Sequence, residues 1–376
     1  MATAVTTDIL RELAAFHAAN GCAISFHLGF DPSEAPTTPD VETKFNSLLS
    51  TAEKQAEEHG TTHDRKVALR DDLERLRTWW DDELNRDGVR GVAVFAASAD
   101  ALFRAVTLGE APHDSVRIGH ELNLAPLASL LGRGVGALVI VVSRERGTVY
   151  RLTDGRLVEV VDETADVPGQ HDQGGWSQGR YHRHIEKLVK DHLKNVGEEV
   201  DRRARGSKLR IVVVCPEEMR SEFESTLSPE ARQTIVGWTH ADAHASPSDL
   251  LPLAQPFLDA ASAYHEKEAL ERWQGERGRG GKAAGGWKQV LDAASDARVE
   301  VLLLEEAADR QAWRCPQCGR ASADGGRCPL DDTKLEERED GVDLAIHQTL
   351  LHGGNLVELA RGALPGADGI AALLRF

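Results

Sequence analysis

The chain has 376 residues, of which 44 are Lys or Arg and 61 are Asp or Glu, and its formal net charge at pH 7 is −17. With 41% apolar and 28% charged residues, it has the composition of globular domains, which excludes a wholly disordered or fibrous chain. The acidic balance also excludes general attraction to phosphate, because that needs an excess of Lys and Arg. A nucleic-acid partner would have to meet a local basic patch.

Nothing near the start of the chain indicates export or membrane insertion. The first residues lack the basic start and unbroken apolar stretch of a secretory signal, and the longest apolar run, Ala137 to Val142, is far shorter than the roughly 20 residues that span a bilayer. Five cysteines, three of them between 315 and 328, form a poor disulfide framework and are typical of a reducing compartment. We therefore expect a cytoplasmic protein without a membrane partner.

Residues 1–132 are predicted to form an N-terminal α/β domain. Cys22 to Leu28 is a short apolar run typical of a strand. From Asp64 to Asn85, apolar residues recur mostly at three- and four-residue steps, which predicts an amphipathic helix. Paired strands are expected at Gly91–Ala96 and Ala101–Leu108.

Residues 133–247 are predicted to form a central domain that begins in a glycine-rich seam. Its expected strands are Ala137–Val142, Thr148–Leu152, Arg156–Val161 and Leu209–Cys215, with a hairpin turn before the third. Its expected helices are Arg180–Ala204 and Pro216–Leu227. Strands that alternate with helices predict a sheet covered by helices.

Residues 248–376 are predicted to form a C-terminal α/β domain. It would begin with a helix from Ser248 to Glu276 that stops at the glycine-rich stretch Gly275–Gly286, of which Gly275 to Ala283 is predicted to be a flexible link. The remaining expected elements are a helix over Trp287–Ala294, a strand over Val299–Leu304, a helix over Val342–Leu351 and a strand over Asn355–Ala360. The predicted fold class is thus α/β (α+β), with three consecutive α/β domains.

The segment from Asp162 to Gly179 has neither a strand nor a helix period. Structureless segments of this length are uncommon within compact domains and are usually functional or disordered. Adjacent Gly174 and Gly175 would let another surface approach the main chain closely. The basic residues that follow recur at three- and four-residue steps, so they share one helical face suited to phosphate: Arg180, Arg183, Lys187, Lys190 and Lys194. The alternative is a solvated helix preceded by a loop without a function.

Four residues in the C-terminal domain have the spacing of a zinc ribbon. Cys315 and Cys318 form a CxxC knuckle, and Cys328 is followed three residues later by Asp331 in the place of a fourth cysteine. Zinc accepts carboxylate oxygen, so these four residues are the predicted ligands of a structural zinc ion, with Asp332 or His347 as substitutes for the fourth. The alternative is three free thiols in a loop. The minidomain would cover about 313–333.

Several stretches together resemble a known superfamily. GGWSQGRYHRHIE (174–186) resembles the loop and helix of bacterial and archaeal relatives of the class I release factors and Pelota, closest to the peptidyl-tRNA hydrolase branch of ribosome quality control. ISFHLGFDP (24–32), IVVVCPEEMR (211–220) and VEVLLLEE (299–306) support the resemblance over nearly the whole chain. In true release factors Gln follows the two glycines directly, whereas here Trp176 holds that place and the glutamine is Gln178. This spacing argues against codon-dependent termination.

The resemblance implies an expected activity and expected partners. The loop would enter the peptidyl transferase centre of the ribosome, where Gln178, with Gly174, Gly175 and Ser177 beside it, would position the water that hydrolyses the peptidyl-tRNA ester. Trp176 would stack on a base, and Arg180, Arg183, Lys187 and Lys190 would bind RNA. The expected partners are rRNA and peptidyl-tRNA, with no DNA, and the expected state is a monomer.

Two other functions remain open at this point. Some bacterial members of the superfamily bind idle ribosomes as hibernation factors without catalysis, so a non-catalytic hibernation or stress factor in the A site is the alternative. A nuclease that trims the tRNA acceptor end is less favoured, because no carboxylate cluster for metal-ion catalysis accompanies the loop.

Overall fold

A computed structural model of the chain describes residues 5–30, 35–59, 62–86, 89–131, 137–153, 156–163, 178–205, 209–242 and 245–376. Its helices are α1 Thr7–Ala14, α2 Thr38–His59, α3 His63–Thr78, α4 Ala125–Ala128, α5 Gln178–Ala204, α6 Glu217–Thr226, α7 Pro229–Thr234, α8 Pro247–Gly278, α9 Trp287–Ser295 and α10 Gly341–Leu351. Its strands are β1 Ala23–Gly29, β2 Gly91–Ala97, β3 Leu102–Leu108, β4 Ser115–Gly119, β5 Ala137–Val142, β6 Gly147–Thr153, β7 Arg156–Asp162, β8 Arg210–Val214, β9 Ile235–Thr239, β10 Ala283–Gly285, β11 Val299–Glu305, β12 Ala312–Arg314, β13 Ala321–Ser322, β14 Glu336–Arg338, β15 Asn355–Leu359 and β16 Ile370–Leu374. The predicted mixed α/β class is confirmed.

The chain divides into two compact units. The terminal unit combines residues 1–134 with residues 264–376, and the central unit contains residues 135–263. Both the N-terminal and the C-terminal predicted domains thus contribute to the terminal unit. The three-domain boundaries at 132/133 and 247/248 stay a prediction.

The N-terminal part of the terminal unit is built on an antiparallel sheet with strand order β3-β2-β1-β4. Side chains alternate across the sheet, so Ile24, Phe26 and Leu28 of β1 pack in one core with α2 and α3. Ala23 lies on the opposite side, in a second core. Beyond α3 the chain makes a π-helical turn over Trp79–Glu83.

The C-terminal part of the terminal unit contains a mixed sheet with strand order β10-β16-β11-β15. β11 pairs in parallel with β15 and antiparallel with β16. The segment Gly275 to Ala283, predicted to be a flexible link, is ordered at both of its ends: α8 continues to Gly278, and Ala283 begins β10, which pairs with β16. A small sheet with order β13-β12-β14 carries the predicted minidomain.

One hydrophobic core joins the two parts of the terminal unit. It contains Leu10 of α1 and Phe95 of β2 together with Leu291 of α9, Ile346 of α10 and Leu374 of β16. Side chains from both ends of the sequence are therefore removed from water by the same packing.

The central unit is a sheet with strand order β7-β6-β5-β8-β9, in which β5, β8 and β9 are parallel neighbours. Alternate residues of β5 and β8 pack against α5, α6 and α7 on one face and against the first part of α8 on the other. Because helices cover both faces, these two strands are continuously apolar. No helix in the described part of the chain is long and apolar enough to cross a membrane.

Candidate functional site

The candidate site in the central unit is the beginning of α5 and the segment that leads into it. The first residue of α5 is Gln178, two residues earlier than the helix start expected from the sequence. Arg180 and Arg183 lie in its first two turns, although their side chains and that of Gln178 are outside the described residues. Gly174, Gly175, Trp176 and Ser177 also lie outside the described residues.

Helix α5 is amphipathic, and its apolar face holds it on the sheet. Ile185, Val189, Leu193, Val196 and Val200 recur at three- and four-residue steps and are all buried against β5, β6 and β8. This packing fixes the direction in which the helix points along the sheet. The first turns of α5 are therefore attached to a rigid element.

The polar face of α5 carries lysines that were predicted to contact RNA. Lys187 and Lys190 are exposed, and neither makes an ion pair with another described residue. Lys194 is also exposed, but its Nζ lies 3.6 Å from a carboxylate oxygen of Glu198. The described chain thus offers two uncompensated positive charges on this face.

The far end of α5 carries two arginines that are bound to an acid of the same helix. Glu199 is only 3% exposed, and its carboxylate binds the guanidinium groups of both Arg202 and Arg203, the latter at 2.7 Å. These two arginines therefore neutralise a buried acid on their own helix. The free positive charge is concentrated toward the N-terminal half of α5.

A tight contact that the sequence did not reveal positions α5 against β6. Gly147 begins β6, and a Cβ atom at this position would lie 2.4 Å from Cγ2 of Val196 and 2.8 Å from Cε1 of His192. His192 is 4% exposed, and its Nε2 has no hydrogen-bond partner within the described ranges. The Gly147 carbonyl accepts the N–H of Glu163 at 2.7 Å, at the point where β7 has just ended. The strand end before the candidate loop and the helix after it are therefore anchored to the same residue.

The candidate metal centre in the terminal unit brings all four predicted ligands together. One potential ligand atom from each of Cys315, Cys318, Cys328 and Asp331 lies within 4.8 Å of the others. The Sγ atoms of Cys318 and Cys328 are 3.5 Å apart, and Sγ of Cys315 is 3.4 Å from Oδ2 of Asp331. Three sulfur atoms and one carboxylate oxygen at this separation fit the tetrahedral shell that zinc prefers.

The backbone around the cluster is shaped as a pair of knuckles. The N–H of Cys318 points at Sγ of Cys315, and the N–H of Leu330 points at Sγ of Cys328, each at 3.5 Å. Gly319 and Gly326 have φ angles of 77° and 125°, which other residues rarely adopt. These turns place the sulfur atoms on the inside of each knuckle.

Asp331 is the residue that the structure brings to the fourth position, rather than either substitute. The N–H of Thr333, donated to Asp331 at 3.0 Å, is the main cause that holds the pKa of that carboxyl below its usual range. It is therefore ionised, as a metal ligand must be. Asp332 instead pairs with Arg327 at 3.0 Å, and the buried Nε2 of His347 lies 2.6 Å from the carbonyl oxygen of Leu122.

Comparison with protein families gives a match over a region that contains α5. Residues 123–266 match the family described as bacterial archaeo-eukaryotic release factor family 10. Peptide chain release factor subunit 1 of Archaeoglobus fulgidus is 28% identical over 288 residues, which cover 67% of this chain and 68% of that protein.

Two solved structures are similar over most of their length. An archaeal translation termination factor, aRF1, is 18% identical, with 99% of each chain covered and a TM-score of 0.28. Pelota of Archaeoglobus fulgidus is 15% identical, with 76% of this chain and 79% of that chain covered and a TM-score of 0.30.

Proposed function

We propose that this chain, which is similar to release factors and to a bacterial release-factor-like family, is a release-factor-like protein of the Pelota superfamily that acts on the ribosome and promotes hydrolysis of peptidyl-tRNA there. The observation that carries the proposal is the sequence GGWSQGR, whose glutamine is the first residue of α5. A helix anchored on a sheet holds its first residue in a defined direction, which suits a residue that must reach into a cavity walled by RNA.

The chemistry needs little from the protein. Release is the attack of water on the ester that joins the peptide to the tRNA, so a factor has to position that water and stabilise the developing oxyanion. The Gln178 amide offers a donor and an acceptor and does not titrate. Gly174, Gly175 and Ser177 would allow close approach of the loop, and Trp176 would stack on a base.

Positive charge on α5 supports contact with RNA despite the net charge of −17. Lys187 and Lys190 are exposed and free of ion pairs within the described chain. In our proposal they bind phosphate groups together with Arg180 and Arg183 and set the register of the loop on the tRNA acceptor end. Their contribution would be electrostatic and therefore sensitive to salt.

Release of peptide from ribosomal complexes that carry peptidyl-tRNA tests the proposal. We expect Gln178→Ala to lower the release rate roughly 100-fold or more, the usual effect of removing an oxyanion-stabilising group, and to leave ribosome binding unchanged. Gln173→Ala is the matched control, because it removes the same side chain just before the two glycines. An unchanged rate in Gln178→Ala would exclude the proposed role.

One observation favours a second function. Trp176 stands where true release factors have glutamine, so the loop could occupy the A site of an idle ribosome without catalysis, as a hibernation factor. Sedimentation of extracts from starved cells distinguishes the two functions. Co-migration with vacant ribosomes supports hibernation, whereas enrichment on large subunits that carry peptidyl-tRNA supports release.

We also propose that Cys315, Cys318, Cys328 and Asp331 hold a structural zinc ion. All four would be committed to the metal, so no coordination position would remain for catalysis. Metal analysis of the purified protein is expected to give one zinc per chain, lost in Cys318→Ser and weakened in Asp331→Asn. Asp332→Asn, which changes the neighbouring carboxylate that pairs with Arg327, should keep its zinc. Equal zinc content in all variants would contradict the assignment.

A further inference from the structure

A cavity of about 250 Å³ that is open to solvent lies in the terminal unit, between the end of the first sheet and the beginning of α10. It is distinct from the beginning of α5 and from the cysteine cluster. Its wall is apolar at Val342, Ile346 and Leu356 and polar at Arg117, Asn123 and Asp309. This combination of an apolar wall with a few converging polar groups is typical of small-molecule sites.

Asn123 is the first observation that points to a ligand. The residue is 8% exposed, and its side-chain amide has no hydrogen-bond partner among the described residues. Its backbone N–H is bound by the hydroxyl of Ser25 at 2.9 Å. Because the amide lines the cavity, it is open to a partner from solvent. A ligand that bonds to this amide would take the place of water.

Arg117 lies on the same side of the sheet as that hydroxyl. It is directly opposite Ser25 in the pairing of β1 with β4, so the two side chains leave the sheet on one face. Arg117 is half-buried and makes no direct ion pair within the described chain. The cavity is therefore lined by a guanidinium group without a direct ion pair as well as by the Asn123 amide.

Asp309 provides a carboxylate at the rim of the same cavity. Its Oδ1 accepts the N–H of Val342 at 3.1 Å and that of Arg310 at 2.8 Å, which leaves Oδ2 available. Burial raises the pKa of Asp309, and the positive charge of Arg117 opposes that rise without a direct ion pair between them. The other carboxylates of the wall already have partners: Arg338 binds Asp340, backbone N–H groups bind Asp343, and the N–H of Leu364 binds Glu305. Glu358 also lines the cavity and has a partner.

The charges of the wall select among possible ligands. A simple anion would meet the carboxylates of Asp309, Asp340 and Asp343, and a simple cation would meet Arg117. A zwitterion satisfies both signs at once. We propose that the cavity binds a free α-amino acid with an apolar side chain, its carboxylate on Arg117 and Asn123, its ammonium group on Asp309, and its side chain against Ile346 and Leu356.

Calorimetric titration of the full-length protein at neutral pH tests the proposal. The three probes share an apolar body and differ in charge. Leucine carries both charges, isovalerate only the negative charge, and isoamylamine only the positive charge. We expect leucine to bind at one site and each single-charge analogue to bind at least tenfold more weakly. Valine and phenylalanine are titrated as further apolar amino acids. The proposal would be overturned if leucine, isovalerate and isoamylamine bound equally, or if none of the three amino acids bound.

Variants connect binding to the cavity. Arg117→Gln and Asp309→Asn should each weaken leucine binding at least tenfold, whereas Arg361→Gln, at an exposed arginine of the same unit, should not. Unchanged affinity in either cavity variant would overturn the assignment. Thermal unfolding without ligand checks that each variant is folded. If Arg117→Gln is not folded, Asn123→Ser takes its place in the comparison. None of these readouts depends on ribosomal activity.

Discussion

The carboxylate of Asp343 accepts the backbone N–H of Leu124 at 2.7 Å, although the two residues are 219 positions apart in the sequence. The same oxygen accepts the N–H of Ala125 at 3.1 Å, so an acid on α10 binds the beginning of α4. This buried contact is part of what makes the two ends of the chain one unit, and it has measurable consequences.

Asp343 should make the stability of the terminal unit depend on pH. Burial raises the pKa of its carboxyl from 3.8 to about 6, with Asp340 adding to the rise and His347, 3.5 Å away, opposing it. Because the folded-state pKa is the higher one, its contribution is full below about pH 4 and is lost as pH rises through 6, by up to about 3 kcal/mol. Asp343→Asn keeps an acceptor for both N–H groups and should remove this component.

Urea unfolding at pH 4.5 and 7.0 measures the effect as a difference between the wild type and Asp343→Asn. The variant should be relatively more stable at pH 7.0 than at pH 4.5. Parallel pH profiles would show that Asp343 is not the source.

Glu121 should be costly to replace, because it pairs with two arginines from the other part of the terminal unit. Its carboxylate is 2.7 Å from Arg314 and 3.8 Å from Arg338, and its side chain is only 9% exposed. Glu121→Gln should lower the free energy of unfolding by about 2–3 kcal/mol, since both guanidinium groups lose a buried partner. Glu12→Gln, which removes an exposed partner of Arg104, should change it by less than about 1 kcal/mol. Similar losses in chemical denaturation would contradict the argument from burial.

Gly147→Ala should destabilise the central unit. The new methyl group would overlap Val196 and His192, and overpacking of this kind costs about 1–3 kcal/mol. Gly278→Ala is a control at the end of α8, where nothing lies within 4 Å of the added atom, and it should be neutral or stabilising by up to about 1 kcal/mol. Thermal unfolding of both variants checks this. If Val196→Ala does not recover part of the loss in Gly147→Ala, the overlap is not its cause.

Lys187 and Lys190 should contribute to ribosome binding, and Lys194 should contribute less because Glu198 already compensates its charge. Each lost phosphate contact lowers the slope of log affinity against log salt by about 1. We therefore expect Lys187→Ala and Lys190→Ala to flatten that slope in co-sedimentation at several salt concentrations. A slope equally unchanged in all three alanine variants would place the RNA contact elsewhere.

Removal of zinc should loosen the minidomain without unfolding the sheet next to it. The apolar cluster at the proposed metal site consists of Cys315, Cys328 and Leu335, with Trp313 packed against it, whereas Ala312 of β12 and Ala321 of β13 pack in the larger core of the terminal unit. Hydrogen exchange should rise over 312–338 after treatment with a chelator and stay unchanged in β11. Equal protection before and after treatment would show that the metal does not stabilise this segment.

The sequence predicted elements best where one pattern dominates. Ala137–Val142 is apolar because helices cover both faces of its sheet, and the apolar period of α5 matches its buried face. The same approach did not identify β16, because Ile370–Leu374 is a short run without alternation, and its burial depends on pairing with β10 and β11. Predictions from local pattern fail where distant pairing decides the structure.

The candidate sites, too, could be predicted where local sequence decides the structure and not where distant packing does. Ligand spacing predicted the cysteine cluster, because CxxC knuckles are local structures, and geometry then distinguished Asp331 from Asp332. The pairing of Arg202 and Arg203 with Glu199 depends on which helical face is buried, so a count of basic residues along α5 does not show which charges are free. Nothing in the sequence marked His192 or the amide of Asn123, whose significance arises only from the surrounding packing.

Leu10 and Leu374 pack in the same core, and this has a consequence for folding during synthesis. A nascent chain emerges with its amino end first, so α1 must wait until residue 374 has been synthesised before all of its packing partners exist. The central unit, whose strands are complete by residue 239, can fold well before that. Translation interrupted before β16 would thus leave a finished middle flanked by two unfinished ends, a state that proteases should recognise readily.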